Sequence, residues 1–428
     1  MFSKEPEISV GILTAPSIHF VLHGNFIDSH SGEMVSGEQK VGIQAYFGKR
    51  IFMPDSPESF FELKGVMIGK DFHWEREETQ RFRGTLKIIS EGEQLTAVNV
   101  IGIEEYLRSV ISSEMSAGSP PESLKAHAVV SRSWLLSQVI NKEKEEKRSA
   151  FVLSNSEYIR WYDREEHDLF DVCADDHCQR YQGITRISSP EVDSAIKATR
   201  GQVLMYRGEI CDARYSKCCG GMTESFENVW EPVRHPYLRP IRDLAVPPIY
   251  ASDLSSEEKA RPWIVTSPPA FCHTKDKALL STVLNNYDQE TPDFYRWQVE
   301  YTQDELSKLI RKRLDMDFGT IEELIPVQRG ASGRLVKLKI VGSRRTMTIG
   351  KELVIRKALS ESHLYSSAFV IDTTEKEGQK VFILQGAGWG HGVGLCQIGA
   401  AVMGSQGYSY PKILAHYYPD AELRPVYD

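Results

Sequence analysis

Glycines alternate with other residues in Gly386-Ala-Gly-Trp-Gly-His391-Gly-Val-Gly-Leu-Cys-Gln397-Ile-Gly-Ala400, at positions 386, 388, 390, 392 and 394. Neither a helix nor a regular strand carries that pattern. Glycine tolerates positive φ and close backbone approach, so such a run builds a tight surface of backbone amides. One imidazole, one indole and one carboxamide project from it. A phosphate-cradling loop is disfavoured, because the Gly-Lys-Ser/Thr ending is missing. A simple turn-closing loop is one reading. A wall of an active-site or glycan-binding cleft is the better one, since these side chains suit it.

A chain of 428 residues has room for two or three packed units. Its 41% hydrophobic and 26% charged content is that of a folded globular protein. A net charge of −8 without an arginine- or lysine-rich stripe argues against a nucleic-acid partner. No apolar run approaches the length of a membrane span. The start, Met1-Phe-Ser-Lys-Glu-Pro-Glu, lacks the apolar core of a secretory signal. Seven cysteines cannot all pair within one chain, and their clustering points to metal binding.

The pattern predicts an α+β fold: mixed β-sheets around a buried central helix, with a β-rich N-terminal region and an inserted subdomain. Runs at Ile8–Thr14, His19–Ile27, Lys40–Phe47, Phe60–Met67 and Gly84–Ile89 read as strands. A helix is expected at Ile103–Ile111, with Glu114 in the connection that follows. A second helix opens at Ser119-Pro-Pro-Glu122, where a capping box is expected, and runs over Leu124–Ile140. That helix is apolar on most faces, so it is expected to be buried. Residues 141–148 form a solvated charge run. Strands are expected at Gln202–Tyr206 and Ile210–Tyr215, and a helix at Gln303–Leu314. Further strands follow at Val336–Val341, Thr346–Ile349, Ala368–Thr373 and Lys380–Gln385. The proline-rich stretch 240–300 reads as an insertion. The expected division is 1–95, 96–240, 241–330 and 331–428.

Two imidazoles and two thiols, His167, Cys173, His177 and Cys178, fall within twelve residues. They supply the donors of a closed tetrahedral zinc site, although the spacing is not a common finger pattern. A polar loop with free side chains is the alternative. Arg132 lies in the buried helix and needs a partner, because an unpaired buried charge is costly. A structural ion pair is the first reading; orientation of Glu114 or of a substrate carboxylate is the second. Cys396 near His391 raises the alternative of a cysteine nucleophile, though no orienting third group is evident.

The glycine stretch resembles the GWGHGVGMSQYGA segment of the stage II sporulation protein D/LytB family, bacterial proteins acting on peptidoglycan. Other blocks agree in order: Thr96–Leu107, Ser113-Glu114-Met115 with Glu122–Ala128 and Ser131-Arg132-Ser133, Tyr215–Thr223 with Glu227-Asn-Val-Trp230, and Gly407–Tyr418. The resemblance covers roughly residues 80 to 425 by these ordered blocks. It implies that Glu114 is the general acid/base of a lytic transglycosylase. Such an enzyme cleaves between N-acetylmuramic acid and N-acetylglucosamine in glycan strands stripped of stem peptides. The muramic 6-hydroxyl attacks, leaving a 1,6-anhydro end, so one carboxyl suffices where most glycosidases use two. The resemblance also implies a structural zinc at His167, Cys173, His177 and Cys178. Arg132, Tyr215, Thr223, Glu227, Trp389, His391 and Gln397 are the expected substrate-binding residues. Aromatic faces suit sugar C–H surfaces and polar groups suit hydroxyls. The alternative is a glycan-binding enhancer of a cell-wall amidase that does not itself cut; the amidase would then be a partner. Such a substrate implies the cell envelope, whereas the missing export signal leaves a cytoplasmic site open. Cys218, Cys219 and Cys396 stand where the family usually shows hydroxyl residues, and Ile398 replaces its tyrosine.

Overall fold

The computed structural model describes residues 2–42, 48–69, 76–115, 118–141, 151–161, 167–175, 177–185, 189–245, 253–283 and 293–428. Most of the charge run 141–148 lies outside them, as do the end of the expected strand Lys40–Phe47 and Pro247, Pro248 and Pro292.

The N-terminal region is β-rich, as its alternating pattern requires. Its strands are β1 (Glu7–Ala15), β2 (Ser17–Asp28), β3 (Met34–Gly42), β4 (Lys49–Pro54), β5 (Phe60–Ile68), β6 (Arg76–Arg83), β7 (Thr85–Glu91) and β8 (Gln94–Gly102). In β2, Ile18, Phe20, Leu22 and Phe26 turn inward while His19, Asn25 and Ile27 face out. Two helices follow, α1 (Ile103–Glu114) and α2 (Pro121–Asn141). Tyr106, Leu107, Val110 and Ile111 form the expected apolar stripe of α1 and pack on the sheet with Phe20, Phe61, Phe82 and Leu86. α1 runs three residues beyond the expected Ile111, so Glu114 is its last residue and not part of the connection.

α2 is buried between two cores, which explains its lack of a polar face. Leu124, Ala128 and Leu135 face the sheet-side core. Ala126, Val129 and Val130 face a second core built with Phe226, Ile398, Ile413 and Tyr417. The expected capping box is not formed. Ser119 Oγ donates to the Thr282 carbonyl at 2.7 Å, and Glu122 Oε2 accepts from Tyr410 N at 2.7 Å. Long-range partners outcompete the local cap, and Glu122 opens a different helix.

The short strands β9 (Phe151–Leu153), β10 (Glu157–Arg160) and β11 (Val172–Cys173) precede α3 (Pro190–Ala198). Then come β12 (Gln202–Tyr206), β13 (Glu209–Ile210) and β14 (Tyr215–Ser216); the last two replace the continuous strand expected at Ile210–Tyr215. The proline-rich stretch holds α4 (Glu257–Val265) and α5 (Lys277–Val283). Among the described residues, β1, β2 and β4–β8 join one nine-stranded sheet with β3 and β11.

The remaining elements are β15 (Arg296–Thr302), α6 (Gln303–Leu314), β16 (Ile321–Arg329), β17 (Leu335–Gly342), β18 (Thr346–Gly350), α7 (Glu352–Ala358), β19 (Phe369–Lys376) and β20 (Gln379–Ala387). α6 matches its expected span because its signals are local: Thr302 and Glu305 form a complete capping box. Trp297, Leu306, Leu324, Leu338, Ile355, Phe369 and Leu384 share one core. The expected boundary at 330 therefore falls inside the β16–β17 hairpin and divides a single packed unit. After β20 the chain forms β21 (Leu395–Cys396), α8 (Gln397–Ser405), α9 (Tyr410–Tyr417) and β22 (Glu422–Pro425).

Candidate functional site

Arg132 is fully buried. Its Nε and Nη2 donate to Glu104 Oε1 and Oε2 at 3.0 and 2.7 Å, and its Nη1 donates to the Gln202 carbonyl at 3.0 Å. Glu104 also accepts from Tyr427 Oη at 2.5 Å and Gly201 N at 3.2 Å. This satisfies both charges inside the protein, which a buried pair requires. The expected contact of Arg132 with substrate is thereby corrected. With no exposed surface, the guanidinium ties α2 to α1, β12 and the C-terminus.

Glu114 is half-buried at the end of α1, and its Oε1 accepts from Arg180 N at 3.0 Å. The segment carrying that amide leads directly out of the His/Cys stretch. It lies along α1, where Gln182 N donates to Ser109 Oγ at 2.9 Å and Tyr106 Oη bonds Gln179 Oε1 at 3.3 Å. The carboxylate and the loop are thus one mechanical unit.

His167, Cys173, His177 and Cys178 do converge: each offers a ligand atom, all within 4.8 Å of one another. Cys178 Sγ lies 3.5 Å from His167 Nε2 and 3.6 Å from His177 Nδ1. Hydrogen bonding from Cys178, opposed by burial and aided by His167 and His177, holds the Cys173 thiol down at about 2. Two thiols and two imidazoles at this spacing fit a single tetrahedral ion. β1 anchors the loop through β11, where Val10 pairs with Val172 and Gly11 with Cys173. A pocket beside the cluster is lined by Trp134, Gln138, Asp171, Arg214, Trp230 and Glu231. Arg214 sits 4.0 Å over the Trp230 ring and is held by Asp212 at 2.7 Å.

The glycine stretch is zipped to the Cys218–Gly221 segment. β14 and β21 pair in parallel, Tyr215 with Leu395 and Ser216 with Cys396. Cys218 and Trp389 exchange backbone hydrogen bonds of 3.0 and 2.8 Å, and Glu224 N donates to the Gly392 carbonyl at 2.9 Å. Gly388 has φ +76°, and a Cβ there would lie 2.7 Å from the Cys218 carbonyl oxygen. Only glycine allows strands to approach this closely with that backbone.

Side chains of this wall divide into exposed and spent groups. Trp389 is half-buried against Phe294 and Tyr365, at 4.9 and 4.5 Å between centroids. His391 is also half-buried, edge-on to Trp230 at 5.1 Å, and its Nδ1 accepts from Val393 N at 3.0 Å. Desolvation, with the nearby Arg214 and Arg334, holds its pKa well below the usual imidazole value, so the ring is neutral. Tyr215 and Glu227 are half-buried. The backbone carbonyl of Glu227 accepts from Trp161 Nε1 at 3.1 Å. Thr223 is buried, and its hydroxyl accepts from Ile241 N at 2.8 Å, so the expected substrate contact is corrected to a backbone brace. Gln397 is buried too, with its amide 3.2 Å from His127 Nε2. It braces helices and does not face a ligand. Cys396 is fully buried at the start of α8, which removes the setting for a nucleophile.

His127 was not among the sequence candidates. It is fully buried, bridges Ser131 Oγ at 3.2 Å and Gln397, and packs edge-on against Tyr215 at 4.6 Å. Burial pushes its pKa down to about 3. Arg214, Trp134 and Gln138 were missed as well, because an isolated residue of these types in an apolar run gives no local signal.

These features define an α+β protein with a partly exposed carboxylate coupled to a His/Cys loop that can hold a metal. Residues 91–206 match the stage II sporulation protein family, and residues 224–394 match a domain of unknown function. The chain is 23% identical to stage II sporulation protein D of Bacillus amyloliquefaciens, over 76% of this chain and 75% of that protein. It is 27% identical to the amidase enhancer of Bacillus subtilis, over 74% of this chain and 40% of that protein. An uncharacterized protein of Brachyspira hyodysenteriae is 26% identical, over 80% of this chain and 72% of its own length. Over residues 91–206 the chain is similar to the stage II sporulation protein family, and the named relatives extend the likeness to about three quarters of its length.

Proposed function

We propose that this protein acts on the glycan strands of peptidoglycan as a lytic transglycosylase with Glu114 as its general acid/base. The supporting observation is the hydrogen bond from Arg180 N to Glu114 Oε1, which couples a half-exposed carboxylate to the His/Cys loop. Glu114 protonates the leaving oxygen, then removes the proton of the attacking muramic 6-hydroxyl, so one group serves both steps. Trp389, His391, Tyr215 and Glu227, together with Arg214 and Trp230, supply aromatic faces and polar edges for sugar rings. His167, Cys173, His177 and Cys178 would hold a zinc ion; four protein ligands would leave no open position, so these residues would brace the loop that holds Glu114 rather than present a nucleophile.

A second reading has its own support in the 27% identity to an amidase enhancer. In it the same surface holds glycan for a partner amidase. Incubation with denuded glycan strands separates the two. Products ending in 1,6-anhydromuramic acid, lost in Glu114→Gln, establish the enzyme. Solvent ¹⁸O at a new reducing end would mean hydrolysis, and strand binding without cleavage would mean the enhancer.

A further inference from the structure

The second core contains another convergence of ligand atoms. Cys219 and Cys272 are 2% exposed, and Cys396 and Asp243 are 0% exposed. One atom from each lies within 4.8 Å of the others. The four come from separate segments: the Cys218–Gly221 turn, the stretch after it, the chain following α4, and the end of β21. We infer that these residues form a second, buried metal site that binds a single zinc ion.

Three observations carry this inference. Cys219 Sγ and Cys272 Sγ are 3.6 Å apart. A tetrahedral zinc with Zn–S bonds of about 2.3 Å has an S···S edge of about 3.8 Å. An iron–sulfur cluster, with its metals between the cysteines, spreads its ligating sulfurs wider than this group does. Second, Cys396 Sγ accepts backbone N–H bonds from Cys219 at 3.2 Å and Gly399 at 3.4 Å, the pattern that stabilises a thiolate ligand. Third, Asp243 is a buried carboxylate oriented by Tyr417 Oη at 2.7 Å and Cys272 N at 2.9 Å. Its ion-pair partner among the described residues is His416 Nε2 at 3.8 Å. Isolating such a charge from water is costly unless a cation compensates it. Three soft sulfurs and one carboxylate suit zinc over magnesium or calcium, which take oxygen shells.

The site lies behind the glycine wall. Cys219 precedes Gly220 and Gly221, and Cys396 follows Gly394 and opens α8. An ion here would tie the two zipped segments to the 270–273 turn, and with four protein ligands it would be structural. Binding releases the thiol protons, so affinity falls as pH falls. None of this requires that Glu114 cleave glycan.

The test uses the full chain purified under reducing conditions without chelator, with elemental analysis of zinc per chain. Cys173→Ser/Cys178→Ser removes both thiols of the loop cluster, and about one zinc per chain is expected to remain. Adding Cys272→Ala to that variant is expected to release it. Cobalt(II) loaded into Cys173→Ser/Cys178→Ser is expected to give a strong thiolate-to-metal charge-transfer band in the near ultraviolet. A folded Cys173→Ser/Cys178→Ser protein without zinc and without that band overturns the site. So does peptide mapping that finds Cys219 and Cys272 joined as a disulfide. If Cys173→Ser/Cys178→Ser fails to fold, the wild-type protein decides: about two zinc ions per chain, or one that is lost in Cys272→Ala, support the site, and none, or one that is retained in Cys272→Ala, overturns it.

Discussion

On the helical side of the site, side chains are fixed by other side chains far away in sequence. Arg132 is held by Glu104, and Glu104 by Tyr427 and Gly201. On the glycine side the backbone itself is the structure. Four positive-φ glycines at 388, 390, 392 and 394 let it lie against Cys218–Gly221, and side chains such as His391 brace it locally through Val393 N. The difference teaches where activity and stability can be separated. On α1 and α2, the half-exposed Glu114 and the buried Arg132 are distinct residues with distinct tasks. In the glycine wall the proposed contact and the brace fall on one side chain, because His391 is half-buried at the surface and accepts from Val393 N.

The sharpest way to break that contrast is Glu114→Gln. Loss of the transferable proton is expected to lower turnover by about 10²–10⁴ with an unchanged melting temperature. Near-normal cleavage by the variant, or a large fall in its melting temperature, would remove the separation. Arg132→Met is the converse probe. It strands Glu104 in the core, and breaking one partner of a buried pair typically costs about 3–5 kcal/mol. Denaturant unfolding should show that loss, with Arg132→Met/Glu104→Leu recovering part of it. Failure of the double variant to recover would mean the network matters for more than its charges.

Acid tests His127 on the helical side, together with His363 in the connection between α7 and β19. The pKa values of His127 and His363 are depressed to about 3 by burial, against about 6.5 when unfolded. The unfolded chain binds more protons between those values. Their contribution is therefore fully present above pH 6.5 and is lost as pH falls towards 3. Between pH 7 and 5 each histidine should cost about 2 kcal/mol, visible as a falling melting temperature. A melting temperature that rises on acidification over this range would contradict their neutral state in the folded protein.

His391→Ala sharpens the comparison on the glycine side. Leaving Val393 N without its acceptor should cost about 1–3 kcal/mol, and turnover should fall together with melting temperature. A fall in turnover alone would make the ring a substrate contact only. The smallest effect is expected from Cys173→Ser, which should lower bound zinc and loop stability while the helical core stays intact. Unchanged metal content in that variant would detach the loop cluster from zinc.

Local features were legible in the chain. The Thr302–Glu305 box and the apolar periodicity of Gln303–Leu314 specify α6 by interactions three and four residues apart. The apolar residues on most faces of α2 require it to be buried between packed layers. The glycine alternation at 386–394 excludes regular structure, and His167 to Cys178 are close enough along the chain to meet in one loop. Tertiary structure alone decided the partner of Arg132, 28 residues back at Glu104. It also decided the use of Glu122, whose carboxylate accepts from Tyr410 N as well as from Lys125 of its own helix. The meeting of Cys219, Asp243, Cys272 and Cys396 was decided the same way. Short-range spacing survives in a sequence because helix and turn geometry is fixed by bonded neighbours. Which distant polar groups meet depends on how the cores pack, and that is settled only when burial forces each charge and thiol to find a partner.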